Sequence, residues 1–223
     1  MSAERWDEVD RYTEGLLIGE DEVLSACLED AAAAGLPTIA VTGNQGKLLH
    51  LILRIQGARR VLELGTLGGY STIWMARALP ADGRLVTLEL RPEYAAVAAA
   101  SIARAGLAEL VELRVGPALE SLHALREEGA DPFDLIFIDA DKESTPAYFE
   151  QALELCRAGG LIVVDNVVRD GALVEADSDN NPQVHGMRAF LELAAAEPRI
   201  AATTIQTVGS KGYDGFVLAL LES

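Results

Sequence analysis

The sequence predicts an α/β domain: a doubly wound, mostly parallel β-sheet with an antiparallel hairpin at its C-terminal end and helices ahead of it. Three observations predict it. From about residue 60 onward, short β-branched and aliphatic runs alternate with longer helical patterns, as in a parallel sheet covered on both faces. The last two strand-like runs have no helix between them, so they are expected to pair antiparallel at one edge. A chain of 223 residues with 50% hydrophobic content can close one full core.

The elements follow in order. Residues 1–57 read as a helical cap, with helices in Glu4–Tyr12, Glu22–Ala34 and Gln45–Ile55. These cover a site or form a dimer surface, and periodicity does not separate the two roles. Residues 58–223 read as the α/β core of the same domain. Strands are expected at Arg60–Leu64, Leu85–Glu89, Val111–Val115, Leu135–Ile138 and Leu161–Val164, each an apolar run of strand length. Helices are expected between them at Ser71–Ala78, Glu93–Ala105, Ala118–Glu127 and Pro146–Cys156. A helix around Met187–Ala196 then precedes the hairpin runs Ala201–Thr207 and Gly215–Leu221. The polar, irregular stretch from Asp170 to Gln183 reads as a loop able to reach substrate.

Charge and composition exclude several classes. With 35 acidic against 18 basic residues and a net charge of -17, the chain would repel a phosphate backbone, so nucleic acid is not an expected partner. No run approaches the length of a membrane span, and the acidic first 30 residues lack the basic start and apolar centre of a signal peptide. Cys27 and Cys156 lie far apart in apolar contexts and read as small core residues, which points to a cytoplasmic protein.

Function should sit just after the strands, because open α/β sheets bind ligands outside the carboxyl ends of their strands, where strand order reverses. The first strand runs on as VLELGTLGGYS, Val61 to Ser71. Gly65, Gly68 and Gly69 let the backbone turn sharply and approach a ligand, and Glu63 brings a carboxylate to the strand tip. Glu89, at the end of the second strand, suits hydrogen bonding to ribose hydroxyls and so supports an adenosine ligand. A dinucleotide fingerprint needs glycine where this chain has Leu67, which weakens a nicotinamide reading.

Two later strands run straight into acids, in LIFIDADK (Leu135 to Lys142) and LIVVDNVV (Leu161 to Val168). A doubly wound sheet brings Asp139 and Asp165 into one crevice. Two like charges at about 4 Å and an effective dielectric of about 20 repel by roughly 4 kcal/mol, so the pair needs a shared proton or a cation. Asn166 favours the cation, since an amide oxygen adds a hard neutral ligand. Two carboxylates and an amide oxygen with open positions suit Mg²⁺.

Together ELGTLGGYS, Glu89, FDLIFIDADK, GGLIVVDNVVRDG and KGYDGF resemble the cation-dependent class I S-adenosylmethionine O-methyltransferases, the family of catechol O-methyltransferase and the caffeoyl-CoA O-methyltransferases. The likeness spans nearly all of residues 36–221 in the right order. It implies a Rossmann-like sheet and methyl transfer from S-adenosylmethionine to a hydroxyl of a catechol-like, small aromatic acceptor. The cofactor would be contacted by Val41, Glu63, Gly65, Gly69, Ser71, Glu89, Ala118 and Asp139. Asp139, Asp165 and Asn166 match the family's ligands for Mg²⁺ or another divalent cation such as Mn²⁺ or Ca²⁺. Lys142 matches its proposed general base, with phenolate stabilisation as the other role open to it. KGYDGF approaches the acceptor in the family, so Tyr213 is a candidate substrate wall, and a plain hairpin turn fits the residues as well. Asp141 either faces solvent or lines the cofactor's edge. At Pro117 the chain departs from the family, which commonly has an acid there, and proline offers no backbone N–H. Members of the family are often homodimers, which is the expectation here. The alternatives are a nicotinamide-dependent oxidoreductase on the same sheet and a non-catalytic S-adenosylmethionine-binding module. The joint presence of Asp139, Lys142, Asp165 and Asn166 favours the enzyme.

Overall fold

The period-two alternation of the strands decides how the layers stack. The computed structural model describes residues 2–175 and 180–222. Helices α1 (Ala3–Leu17), α2 (Glu22–Ala33) and α3 (Gly43–Gln56) come first. The sheet then begins with β1 (Arg60–Leu64), α4 (Tyr70–Ala76), β2 (Arg84–Glu89), α5 (Pro92–Arg104) and β3 (Val111–Val115). It continues with α6 (Ala118–Glu127), β4 (Phe133–Ile138), α7 (Thr145–Leu155) and β5 (Cys156–Asp165). A 3-10 helix covers Arg169–Val174, followed by α8 (Pro182–Ala196), β6 (Ile200–Gly209) and β7 (Gly212–Leu221).

Among the described residues these strands form one seven-stranded sheet in the order β3-β2-β1-β4-β5-β7-β6. β1 to β5 run parallel; β7 pairs antiparallel with β5, and β6 pairs antiparallel with β7. The expected doubly wound sheet with a terminal hairpin is what the chain forms. Strand order reverses between β1 and β4, so the ends of these two neighbours open the crevice.

Alternate residues serve opposite layers. Leu62, Leu64, Val86, Ile136, Ile138, Ile162 and Val164 bury against α6, α7 and α8, where Leu122, Phe149, Met187 and Phe190 meet them. Their neighbours Val61, Leu85, Leu135, Phe137 and Val163 bury on the other side against α2 to α5, with Cys27, Leu53, Ile73, Trp74 and Ile102. Both cysteines are buried and free. Glu63 and Thr87 share this second face, so two strand residues bring polar groups into a mainly apolar layer.

Local chemistry sets the helix ends. Asp21 caps α2 by accepting from Leu24 N at 3.0 Å, and Thr42 caps α3 by accepting from Gln45 N at 3.1 Å. Several boundaries differ from the sequence reading: α1 runs on to Leu17, β4 starts at Phe133 and β7 at Gly212, and α8 and β5 also start earlier. α8 starts at Pro182 because Asn181 accepts from Gln183 N and proline suits the first helical turn. The stretch expected to be all loop therefore holds the 3-10 helix and the start of α8, while 176–179 lie outside the described residues. β5 also reaches back to Cys156, passing Gly159 in a left-handed conformation (φ +71°). Cys156, expected to close the preceding helix, is instead the first residue of this strand.

Candidate active site

The glycine turn after β1 is held from below and from the side. Gly65 has φ +98°, and a Cβ there would lie 2.3 Å from the Asp139 carbonyl oxygen, so only glycine lets β1 and β4 end this close together. Under the turn, Glu63 is fully buried. Its carboxylate accepts hydrogen bonds from Ser71 Oγ at 2.5 Å, Thr87 Oγ1 at 2.7 Å and Thr72 Oγ1. Burial pushes this carboxyl up, the three hydroxyls pull it partly back and the Asp139 charge adds to the rise, so that it ends at about 7. Glu63 and Ser71 are thus engaged with each other, bracing β1 to α4.

Glu89 clamps the turn from the side. Its Oε2 accepts from Leu67 N at 2.8 Å and its Oε1 from Arg91 N at 2.9 Å, which leaves each oxygen a further lone pair for a ligand hydroxyl. Leu67 itself takes φ +51°, and Gly69, at φ +91°, precedes α4. Gly116 N donates to Glu89 O at 2.9 Å, so the turn carrying Pro117 and Ala118, the first residue of α6, is drawn to the same edge. Val41 is buried in the apolar layer that also contains Tyr70, Trp74 and Phe216.

The acids after β4 and β5 belong to one electrostatic neighbourhood. Asp139 Oδ1 accepts from Lys142 Nζ at 2.7 Å. Asp165 is buried at the last position of β5; its Oδ1 accepts from Asn166 N at 2.8 Å and its Oδ2 from Gln45 Nε2 at 2.7 Å. Burial pushes the Asp165 carboxyl up, the Asp139 charge pushes it further, and Lys142 partly offsets both. One lysine cannot neutralise two carboxylates, so the cluster carries an excess negative charge. Asn166 follows in the left-handed conformation, φ 57°, which asparagine tolerates. Among the described residues no group of three or more His, Cys, Asp or Glu side chains forms a metal cage. The oxygens of Asp139, Asp165 and Asn166 are hard donors by type, the chemistry that a hard divalent cation retaining other ligands would suit.

Asp141 has a different task. Its Oδ1 accepts from Ser144 N at 3.0 Å and its Oδ2 from the Tyr148 hydroxyl. Burial pushes its carboxyl up, but the Ser144 and Tyr148 hydrogen bonds outweigh this and hold it below its ordinary value. On the other side of the turn, a Cβ on Gly186 would lie 2.1 Å from the Lys142 carbonyl oxygen. Tyr148 on α7 and Gly186 on α8 thus fix the segment that aims buried Lys142 at Asp139. Tyr148 and Gly186 are not named in the sequence reading, and Gln45 enters it only as the first residue of the helix Gln45–Ile55. The only signal for Tyr148 is its place two helical turns after Asp141.

The hairpin closes another side. Asp214 Oδ1 accepts from Val168 N at 3.1 Å and Arg169 N at 2.9 Å, pinning the chain after β5 to β7. The Tyr213 hydroxyl bonds Gln206, and a Cβ on Gly171 would sit 3.8 Å from the Tyr213 ring. A groove of about 480 Å³ lined by Arg60, Arg84, Glu112, Arg114 and Glu128 lies at the opposite ends of the strands. Its arginines are already paired with Asp131, Glu112 and Glu128, so it offers no comparable chemistry.

Comparison with known proteins agrees with this geometry. A family model described as O-methyltransferase matches residues 16–220. The catechol O-methyltransferase of Niastella koreensis is 50% identical over 222 residues, covering 100% of both chains. That of Mycobacterium tuberculosis is 50% identical over 96% of this chain and 95% of its own. Among solved structures, the O-methyltransferase from Bacillus cereus in complex with SAH has a TM-score of 0.97 at 52% identity, covering 99% of this chain and 100% of its own. The O-methyltransferase TomG from Streptomyces achromogenes, in complex with SAM, has a TM-score of 0.96 at 51% identity and covers 100% of both.

Burial of Glu63 predicts a pH dependence. Its folded value lies above the ordinary 4.5, so protonation favours the fold. This contribution is complete below about pH 4.5 and lost as pH rises through about 7. In the presence of chelator and without cofactor, melting temperature should fall from pH 5 to pH 8, and Glu63→Gln should flatten part of that fall. An unchanged slope in Glu63→Gln would show that Glu63 titrates normally.

Proposed function

The chain belongs to the O-methyltransferase family and is an S-adenosylmethionine-dependent O-methyltransferase, and on that footing we propose that its acceptor is a catechol-like aromatic held through Mg²⁺. One observation supports the metal reading: buried Asp165 feels the charge of Asp139, and among the described residues Lys142 is the cation paired with these acids. Asp139, Asp165 and Asn166 would hold the cation, with Mn²⁺ or Ca²⁺ as substitutes. Bound Mg²⁺ supplies a Lewis acid that lowers the acceptor's phenol pKa from about 10 and a template for two vicinal oxygens.

Around it the chain's own groups orient the reactants. Glu89 takes the ribose hydroxyls, while Gly65, Gly69 and the start of α6 at Ala118 leave room for the nucleoside backbone-to-ligand. Val41 packs against the cofactor from above, with Glu63 and Ser71 bracing the turn beneath it. Lys142, an ammonium paired with Asp139 at 2.7 Å, donates to the phenolate oxygen and stabilises its charge. A role as base requires that proton to leave first. Tyr213, joined to the 3-10 helix, walls the acceptor. Alignment of oxygen, methyl and sulfur then does most of the work.

The nicotinamide alternative finds no support, since similar chains are O-methyltransferases with SAH or SAM bound. Catechol fits the named activity of relatives at 50% identity across nearly all of the chain. We also propose a homodimer. Tyr12 and Leu16 on α1 are 71% and 67% exposed, and Leu51 and Ile55 on α3 are 46% and 86% exposed, an apolar surface suited to a second copy. No described helix is long and apolar enough to cross a membrane. The two buried cysteines, both free thiols, support our proposal of a cytoplasmic location.

Four measurements test these proposals. With labelled S-adenosylmethionine and a catechol panel, chelation should abolish transfer and Mg²⁺ restore it. Asp165→Ala should lose cation affinity while retaining cofactor affinity; transfer that survives thorough chelation would overturn the metal reading. For the lysine, Lys142→Met should lower kcat by about 10²-fold or more, and Lys142→Arg should retain a substantial part. Equal loss in both would favour proton abstraction. Light scattering at micromolar concentration should give a dimer mass, and a monomer mass would overturn the dimer.

A further inference from the structure

We propose that Gln45 is a positioning residue for the cation, holding the Asp165 carboxylate from the N-terminal helices. The inference rests on the metal reading above and adds to it a side chain 120 residues away in sequence.

Asp165 has two oxygens and each meets one donor. Oδ1 takes the Asn166 N–H at 2.8 Å, and Oδ2 takes Gln45 Nε2 at 2.7 Å. The backbone donor alone would leave the carboxylate free to swing about it. With Gln45 at the second oxygen the carboxylate plane is set, while one lone pair on each oxygen remains for a cation. The donor is neutral, so it orients the acid without cancelling the charge that attracts the metal. A lysine in its place would cancel it.

Gln45 is itself held in place. It lies in the first turn of α3, where its backbone N–H caps onto Thr42 Oγ1 at 3.1 Å. The next residue, Gly46, packs so closely on Trp74 that a Cβ would lie 2.3 Å from the indole Cδ1. The preceding residue, Asn44, donates from its backbone to Glu14 Oε1 at 3.0 Å and from its side chain to Asp10 Oδ1 at 3.1 Å. Tied on both sides, the amide is a fixed donor rather than a surface group that drifts onto an acid. Hydrogen-bond partners that orient metal-binding side chains commonly change metal affinity by about 10–100-fold when removed.

The test is Mn²⁺ binding to the full chain, read by the electron paramagnetic resonance of free Mn²⁺, alongside calorimetric binding of SAH. Gln45→Leu should weaken Mn²⁺ about 10–100-fold and leave SAH affinity within about twofold. Gln45→Asn keeps the amide but shortens its reach, and should also weaken Mn²⁺; it serves if Gln45→Leu fails to fold. Unchanged Mn²⁺ affinity in both folded variants, with wild-type binding intact, would overturn the role of Gln45 and leave the metal reading standing. Parallel losses of Mn²⁺ and SAH would make Gln45 a general structural residue and overturn the proposal. If the wild type binds no Mn²⁺, the metal reading fails and this inference with it.

Discussion

The contact between Gly65 and Asp139 governs the site. β1 and β4 are neighbours where strand order reverses, and Asp139 N donates to Leu64 O at 2.9 Å just before the two chains part. Any side chain at residue 65 would enter the Asp139 carbonyl, so the glycine turn after β1 and the acid after β4 are one packed unit. Their spacing is therefore set by backbone against backbone, the stiffest material the fold offers. The Glu63 network adds to this from below, since its hydroxyl donors come from both β2 and α4.

Charge is the second constraint. A buried carboxylate next to another carboxylate is costly in an empty protein, and here the fold offers Lys142, Gln45 and one backbone N–H in partial compensation. None of these removes the imbalance, which a divalent cation would. The same reasoning explains why Asp141 does not join the cluster. Its carboxylate turns toward α7, where Ser144 and Tyr148 satisfy it, and so a third nearby acid is kept from adding to the repulsion. The residue that the sequence leaves without a role shapes the turn that carries Lys142.

Much of the fold is legible in the chain because its signals are local. Apolar runs of strand length, glycines after strands and the missing helix before the last strand each act within about ten residues, and β1, β3 and α6 have the expected bounds. The acids at the strand ends are legible for the same reason: a charge directly after LIFI or LIVV contradicts its surroundings. Gln45, Tyr148 and Gly186 carry no such contradiction. Each looks ordinary on its own helix, and its partner is brought to it only by tertiary packing, for Gln45 across 120 residues. Boundaries at Cys156 and Pro182 were obscured by glycine and proline, whose usual meaning as loop residues is overridden by strand pairing in one case and by an asparagine cap in the other.

The N-terminal helices, readable as a cover or as a dimer surface, present two different faces. On α1, Asp10 and Glu14 lie one turn apart and point inward: Asp10 accepts from Asn44 Nδ2 and from Ser210 N, while Glu14 accepts from Asn44 N. One aspartate thus ties the start of α3 to the tip of the β6–β7 hairpin. Lys211 on that tip reaches back to Thr38 O at 2.7 Å. These ties surround the segment from Val41 to Gln45, the part of the cap that meets both the apolar layer and Asp165. Val9, Tyr12 and Leu16, spaced three and four residues apart, share a neighbouring face of α1 that none of these bonds uses. A second copy could cover that face without displacing the clasp. Because the clasped and exposed faces belong to one short helix, holding the exposed face would steady Asp10 and Glu14, and through Asn44 the turn that presents Gln45.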